Sequence, residues 1–225
     1  MKTLKEYINE SLLDDFGAVS AASTADIKKE IKQFLKDNYK KYSCFKISKK
    51  PNNDGYYEVD CSKCKDIFAD NNIMSLTNNL FIFVNVKGSF NCSWCKNLTS
   101  LEGAPEEIDG DFYCAHNQKL TSLKGAPKKV KGTFNCSACE NLHSLEGAPN
   151  KVGGDFYCHF CDNLISLEGA PKEVLSFVCS YCKNLTSLKG APQKVRFFTC
   201  TDCNNLTSLE GAPKEVGGKI YSDLQ

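Results

Sequence analysis

Residues 134–155 read FNCSACENLHSLEGAPNKVGGD, and residues 156–176 follow with FYCHFCDNLISLEGAPKEVLS. Aligned, the two lines share a frame: F-x-C-x-x-C-x-N-L-x-S-L-x-G-A-P-x-x-V. Working outward from this pair, copies begin at Phe90, Phe112, Phe134, Phe156, Phe177 and Phe198, in steps of 22, 22, 22, 21 and 21 residues, and a seventh opens at Ile220. A period between 20 and 29 residues is that of a solenoid, in which each unit is one coil that buries its apolar face only against its neighbours. Gly and Pro in every unit leave no room for a helix inside the repeat. The expected fold is therefore a β-rich solenoid with a parallel strand stack and short extended returns.

The frame resembles the leucine-rich repeat, L-x-x-L-x-L-x-x-N/C-x-L. The match is cleanest in Val174-x-x-Phe177-x-Cys179-x-x-Cys182-x-x-Leu185 and in Val195-x-x-Phe198-x-Cys200-x-x-Cys203-x-x-Leu206. The 22-residue units carry one extra residue between Val and Phe, as in Val152-Gly153-Gly154-Asp155-Phe156. The resemblance implies an inward column of Phe and first Cys and a second Cys at the turn out of the strand. It also implies two Leu columns, Leu98 to Leu206 and Leu101 to Leu209.

Composition limits the function classes. Basic and acidic residues number 28 and 27, for a net charge of +1, so the chain lacks the cationic surplus of a phosphate-backbone binder. No apolar run approaches the roughly 18 residues of a membrane span. Residues 1–11 lack the apolar core of a secretory signal. Neither a nucleic-acid nor a membrane partner is expected, and the expected location is intracellular.

Fourteen cysteines stand out. Six C-x-x-C pairs (61/64, 92/95, 136/139, 158/161, 179/182 and 200/203) invite a zinc reading, since Zn²⁺ takes four thiolate or imidazole ligands. The copy at Phe112 argues otherwise, because Asn117 stands where the second Cys would be. Asn is a poor zinc ligand but an ordinary turn residue, and a free thiol packs as a small hydrophobe. The thiols are expected to be structural, without metal or cofactor. An extended i, i+3 pair lies roughly 10 Å apart, beyond the roughly 7 Å limit for a bridge, so disulfides are the least expected use.

While the Phe, Cys and Leu columns repeat, the positions between them vary. After Phe come Asn91, Tyr113, Asn135, Tyr157, Val178 and Thr199. Before the second Cys position come Trp94, His116, Ala138, Phe160, Tyr181 and Asp202. Between these lie Ser93, Ala115, Ser137, His159, Ser180 and Thr201. With coils ~4.8 Å apart, the three columns are expected to form one outward surface. Exposed aromatic groups on a rigid face mark a partner site. The candidate partner-binding residues are Trp94, Tyr113, His116, Tyr157, His159, Phe160 and Tyr181.

The N-terminal part divides from the repeats. Thr24 to Tyr42 is expected to be an amphipathic helix with Ile27, Ile31, Phe34, Leu35 and Tyr42 on one face and a cap at Ser23 with Asp26. Cys44 to Ser48 and Tyr56 to Cys61, around the turn 51–55, are expected to pair as a hairpin. Phe81 to Lys87 alternates like a strand. Val59-x-Cys61-x-x-Cys64-x-x-Ile67 looks like a degenerate earlier copy, but the period fails before Phe90. The expected division is a targeting peptide over 1–10, a small α/β cap over 11–56, an irregular lead-in coil over 57–89 and the solenoid over 90–225.

Met1 to Ser11 resembles the capsid-targeting peptide of internal proteins of large tailed phages, which begins Met-Lys-Thr and is cut after its last Glu. The matching residues are Met1, Lys2, Thr3, Glu6, Tyr7, Ile8 and Glu10, and the resemblance implies processing between Glu10 and Ser11. No catalytic triad, carboxylate pair or phosphate loop stands out. The expected function is non-enzymatic protein binding by a phage-encoded protein, either virion-packaged or acting on a host protein. A structural virion component and a zinc- or redox-active cysteine protein are the alternatives.

Overall fold

A computed structural model describes residues 23–40 and 42–224. Over these residues the molecule is a β-solenoid of about 8 turns with stacked parallel strands and one short helix. In chain order the strands are β1 (Tyr39–Lys40), β2 (Lys46–Ile47), β3 (Tyr57–Asp60), β4 (Ile67–Ala69), β5 (Phe81–Val84), β6 (Phe90–Asn91), β7 (Glu107–Ile108), β8 (Phe112–Tyr113), β9 (Lys129–Val130), β10 (Phe134–Asn135), β11 (Lys151–Val152), β12 (Phe156–Tyr157), β13 (Ser176–Val178), β14 (Lys194–Val195), β15 (Phe197–Cys200), β16 (Glu215–Val216) and β17 (Ile220–Ser222).

Two ladders run along the stack. The front ladder is a nine-stranded sheet in the order β1-β4-β6-β8-β10-β12-β13-β15-β17, and the back ladder is formed by β7, β9 and β11 and then by β14 and β16. The front register puts Phe on Phe, as in Phe134↔Phe156 and Phe156↔Phe177. Their rings form a continuous stack inside the solenoid, with centroids 5.1–5.9 Å apart from Phe90 to Phe198. All six rings are fully buried, as are Leu98, Leu120, Leu142, Leu164 and Leu185 behind them. In this core each unit rests on an identical unit, so side chains of equal volume fill each layer to interior density.

The N-terminal segment closes one end. Helix α1 (Thr24–Asn38) starts at a capping box, in which the Ser23 hydroxyl accepts from the Asp26 amide and the Asp26 carboxylate accepts from Ser23. Ile31 and Leu35 are buried on its inner face. The helix is shorter than the sequence pattern predicts. Tyr39 is already extended, pairs with Ala69 and leaves Tyr42 outside the helix in a 3₁₀ turn. Burial in the sheet outweighs helical periodicity there. Tyr39 packs edge-on against Phe83 and Phe90, and its hydroxyl donates to the Leu76 carbonyl at 2.6 Å. The hairpin expectation holds: β2 pairs antiparallel with β3.

Two expectations need correction. The stretch 57–89 is more regular than predicted, and its register differs. Ile67, rather than Val59, lies under Phe90, while Val86 lies under Ile108. Val59 instead pairs with Phe83 in the cap sheet β2-β3-β5. One cysteine pair is bridged: Cys44 and Cys64 form a disulfide, with Cα atoms 5.2 Å apart. The spacing argument against bridges concerns residues within one C-x-x-C. Cys44 lies outside the repeat, and the folding of the hairpin over the first coil brings it to Cys64.

The change of period leaves a local mark. In a 22-residue unit, Asp111 accepts the Thr133 amide at 2.7 Å and the Tyr113 hydroxyl at 2.8 Å. Asp155 accepts the Tyr157 hydroxyl at 2.9 Å, but its buried Oδ1 has no hydrogen-bond partner among the described residues. The next coil is one residue short and does not present the equivalent amide.

Candidate interaction face

Each front strand is short. Phe and the following residue are extended, and the chain then turns, so that Trp94, His116, Ala138, Phe160, Tyr181 and Asp202 all sit in the left-handed region with φ between 55° and 62°. The turn is held to the next coil by backbone bonds, such as Ala138 N–H to His159 O at 2.8 Å and Phe160 N–H to Ser180 O at 3.0 Å. Left-handed backbone favours Gly and Asn, and bulky residues there are strained by of order 1–3 kcal/mol.

The second Cys position follows this turn, and its role explains the Asn117 exchange. Asn117 Nδ2 donates to the Cys92 carbonyl at 3.0 Å, while its Oδ1 accepts the Cys95 amide at 2.8 Å. The thiols stand in the same place. Cys139 donates to the Cys114 carbonyl at 3.2 Å, Cys161 to Cys136 at 3.4 Å, Cys182 to Cys158 at 3.3 Å and Cys203 to Cys179 at 3.2 Å. The thiol is thus a weak donor to the strand of the preceding coil. Burial pushes the Cys95, Cys139 and Cys182 thiols up to about 12, which keeps them protonated donors and poor nucleophiles at neutral pH. Among the described residues no group of three or more His, Cys, Asp and Glu side chains is placed to hold a metal ion. Asn117→Ala is expected to cost about 1–3 kcal/mol by leaving the Cys92 carbonyl and the Cys95 amide unpaired. Asn117→Cys should recover part of that loss; urea unfolding of the two variants checks it.

Of the three columns expected on one surface, the middle one is half withdrawn from it: Ser93, His159 and Thr201 stay partly accessible while its other three members are buried. Ala115, Ser137 and Ser180 are nearly inaccessible. This column forms a polar seam: Ser93 Oγ accepts the Ala115 amide, and Ser180 Oγ accepts the Thr201 amide, both at 3.1 Å. The turn brings the third column outward in its place.

The seven candidate residues fall into two clusters. Trp94 stacks on His116 with centroids 3.8 Å apart and planes 9° from parallel. Phe160 stacks on Tyr181 at 4.6 Å and 11°. His159 sits against the second stack, 5.4 Å from Phe160 and 6.0 Å from Tyr157. Ala138 separates the clusters. Trp94, Phe160 and Tyr181 are about half exposed. Tyr113 and Tyr157 are partly covered and tied to Asp111 and Asp155, and burial together with those carboxylates raises both phenols. The two histidines do separate things: His116 stacks, while His159 Nδ1 lies 2.9 Å from Ser137 Oγ. Burial first, and His116 second, hold His159 below its ordinary value, so it is neutral at pH 7. The hydroxyl that His159 meets is itself buried in the seam.

Phe68 is a member that sequence reading missed. It pairs in register with Asn91, which extends the Tyr113 column by one coil, and it is exposed. The signal was Ile67-Phe68-Ala69 standing for Phe-x-Cys, hidden by the irregular spacing. Glu10 and Ser11 lie outside the described residues. Comparison with protein-family models, curated proteins and solved structures finds no match for this chain.

Proposed function

We propose that the chain is a non-enzymatic protein-interaction module whose partner docks on the aromatic edge of the front ladder. One observation carries this reading: Trp94, Phe160 and Tyr181 are large, half-exposed rings at positions where the backbone is left-handed. Local conformational preference disfavours such residues there, and the core does not use them. The turn itself belongs to every unit, as Ala138 and Asp202 show, so what calls for a contact outside the chain is the choice of large exposed rings at this site. The rings are also stacked in pairs on turns that backbone bonds pin to the next coil, so little side-chain entropy remains to be lost on binding. The Met1–Ser11 resemblance supports a phage-encoded protein, packaged in the virion or acting on a host protein, and the repeat frame supports a kinship of design with leucine-rich repeats.

The experiment is affinity capture from bacterial lysate by the immobilised protein, in parallel with the Phe160→Ala/Tyr181→Ala variant. A host protein retained by the wild type and lost with the variant is the expected result. At typical hot-spot magnitudes the two substitutions together weaken binding by more than about 2 kcal/mol. A captured protein that binds both forms equally would overturn the assignment of this edge.

A further inference from the structure

The back ladder has one break. Among the described residues β11 pairs with β9 alone, while β14 pairs with β16 and, through an isolated bridge of Lys194, with Glu173, so the break lies between Val152 and Glu173. Along this ladder Asn150 N–H donates to Lys128 O at 3.0 Å, Gln193 to Lys172 at 2.7 Å and Glu215 to Gln193 at 3.0 Å; among the described residues no such bond joins Lys172 to Asn150. Leu175 N–H, which by analogy with Gly153 should reach the preceding Val carbonyl, goes to Gly154 O instead. The cause is the missing residue between Val174 and Phe177: the front strands stay in register, so the shortened return cannot also stay in register at the back.

A groove opens at this break. Cavities of about 770 and 460 Å³ share Val152, Gly153 and Glu173 and so form one continuous groove. It spans the coils of Val130 to Val216, four steps of ~4.8 Å or roughly 19 Å, the length of about six extended residues. Its lining is strongly one-signed: seven Lys or Arg side chains face two Glu. Three of the lysines are paired, Lys129 with Glu107, Lys131 with Asp109 and Lys194 with Glu215. Lys151, Lys172, Lys214 and Arg196 have no ion-pair partner among the described residues. Leu175, 47% exposed, adds an apolar contact.

We propose that this groove is a second binding site, on the second ladder and apart from the aromatic edge, and that it takes an extended acidic peptide segment of a partner protein. The surplus of unpaired cations calls for carboxylates. The exposed Leu175 side chain suits a peptide that places an apolar side chain beside its carboxylates. No Phe, Tyr or Trp lines the groove among the described residues, which leaves it without an aromatic platform for a nucleobase.

The test uses the 225-residue protein and a fluorescein-labelled eight-residue peptide alternating Glu and Leu, followed by anisotropy at about 50 mM salt, where screening is weak. Saturable binding that weakens as salt rises is expected, with at least a roughly tenfold loss in Lys151→Glu/Lys172→Glu/Lys214→Glu. These side chains are exposed, so the triple variant should melt like the wild type; if it does not, the Lys→Gln set should still lose binding at wild-type stability. Binding should persist in Phe160→Ala/Tyr181→Ala, which separates this site from the aromatic edge. No binding, undiminished binding by the charge-reversed protein, or displacement of the peptide by a lower concentration of oligothymidylate would each overturn the proposal.

Discussion

Replacing Phe156 with Ala is expected to cost about 3–5 kcal/mol, while the same change at Phe160, four residues on, shifts the melting temperature by no more than about two degrees. Phe156 is fully buried, with Phe134 at 5.1 Å on one side and Phe177 at 5.2 Å on the other. Its removal leaves a ring-sized void between two coils. Those coils are pinned by Phe134↔Phe156 and Phe156↔Phe177 backbone pairing and cannot close over it. Phe160 is 46% exposed and its neighbour Tyr181 44%, so truncation there removes one stacked pair at the surface. The left-handed φ of 57° persists in Phe160→Ala, whereas Phe160→Gly relieves it and should unfold at slightly higher denaturant than the Ala variant. Urea unfolding followed by circular dichroism measures all three. Equal losses for Phe156→Ala and Phe160→Ala would mean that the Phe160 ring is buried, and the docking edge would then have to be sought elsewhere.

This contrast shows how far the repeat frame could be read. The frame predicts the inward Phe, Cys and Leu columns because identical residues must stack on identical residues in a solenoid. Asn117 predicts the role of the second Cys because a single exchange within an intact unit exposes what the position is for. The turn conformation was not legible: aromatic, Ala and Asp residues share one left-handed site, and none of them announces it as Gly would. The middle column looked like surface because Ser and His are polar, yet hydrogen bonding along the seam buries Ser137 and Ser180. The end of α1 and the Cys44–Cys64 bridge depend on contacts between segments distant in sequence, which no local pattern encodes. The groove arises from one absent residue, legible as a change of period from 22 to 21 but not as the broken ladder it causes.

Gly147→Ala is expected to destabilise the protein by at least about 3 kcal/mol, although it adds a single methyl group. The Leu145–Ala148 segment is a turn closed by the Ala148 amide donating to the Leu145 carbonyl at 2.9 Å, with Gly147 at φ +89° in its third position. That φ turns the Glu146 carbonyl away from the turn, where it accepts the Leu123 amide of the preceding coil at 3.2 Å. The glycine therefore sets both the turn and one rung between coils, which an L side chain at this φ would strain. Space is the second obstacle: a Cβ on Gly147 would lie 2.6 Å from the Lys124 nitrogen and 2.7 Å from the Leu123 carbonyl carbon, both backbone atoms of the coil below. No rotamer change can relieve that contact; the coils must separate, breaking the 3.2 Å rung and loosening the leucine columns beside it. Gly217 provides the control. Its added Cβ would approach nothing closer than 3.9 Å, so Gly217→Ala should be neutral or stabilising by up to about 1 kcal/mol through the unfolded chain. Thermal and urea unfolding of the two variants give the comparison. A Gly147→Ala protein as stable as Gly217→Ala would show that the Gly-Ala-Pro turn does not set the spacing of the coils.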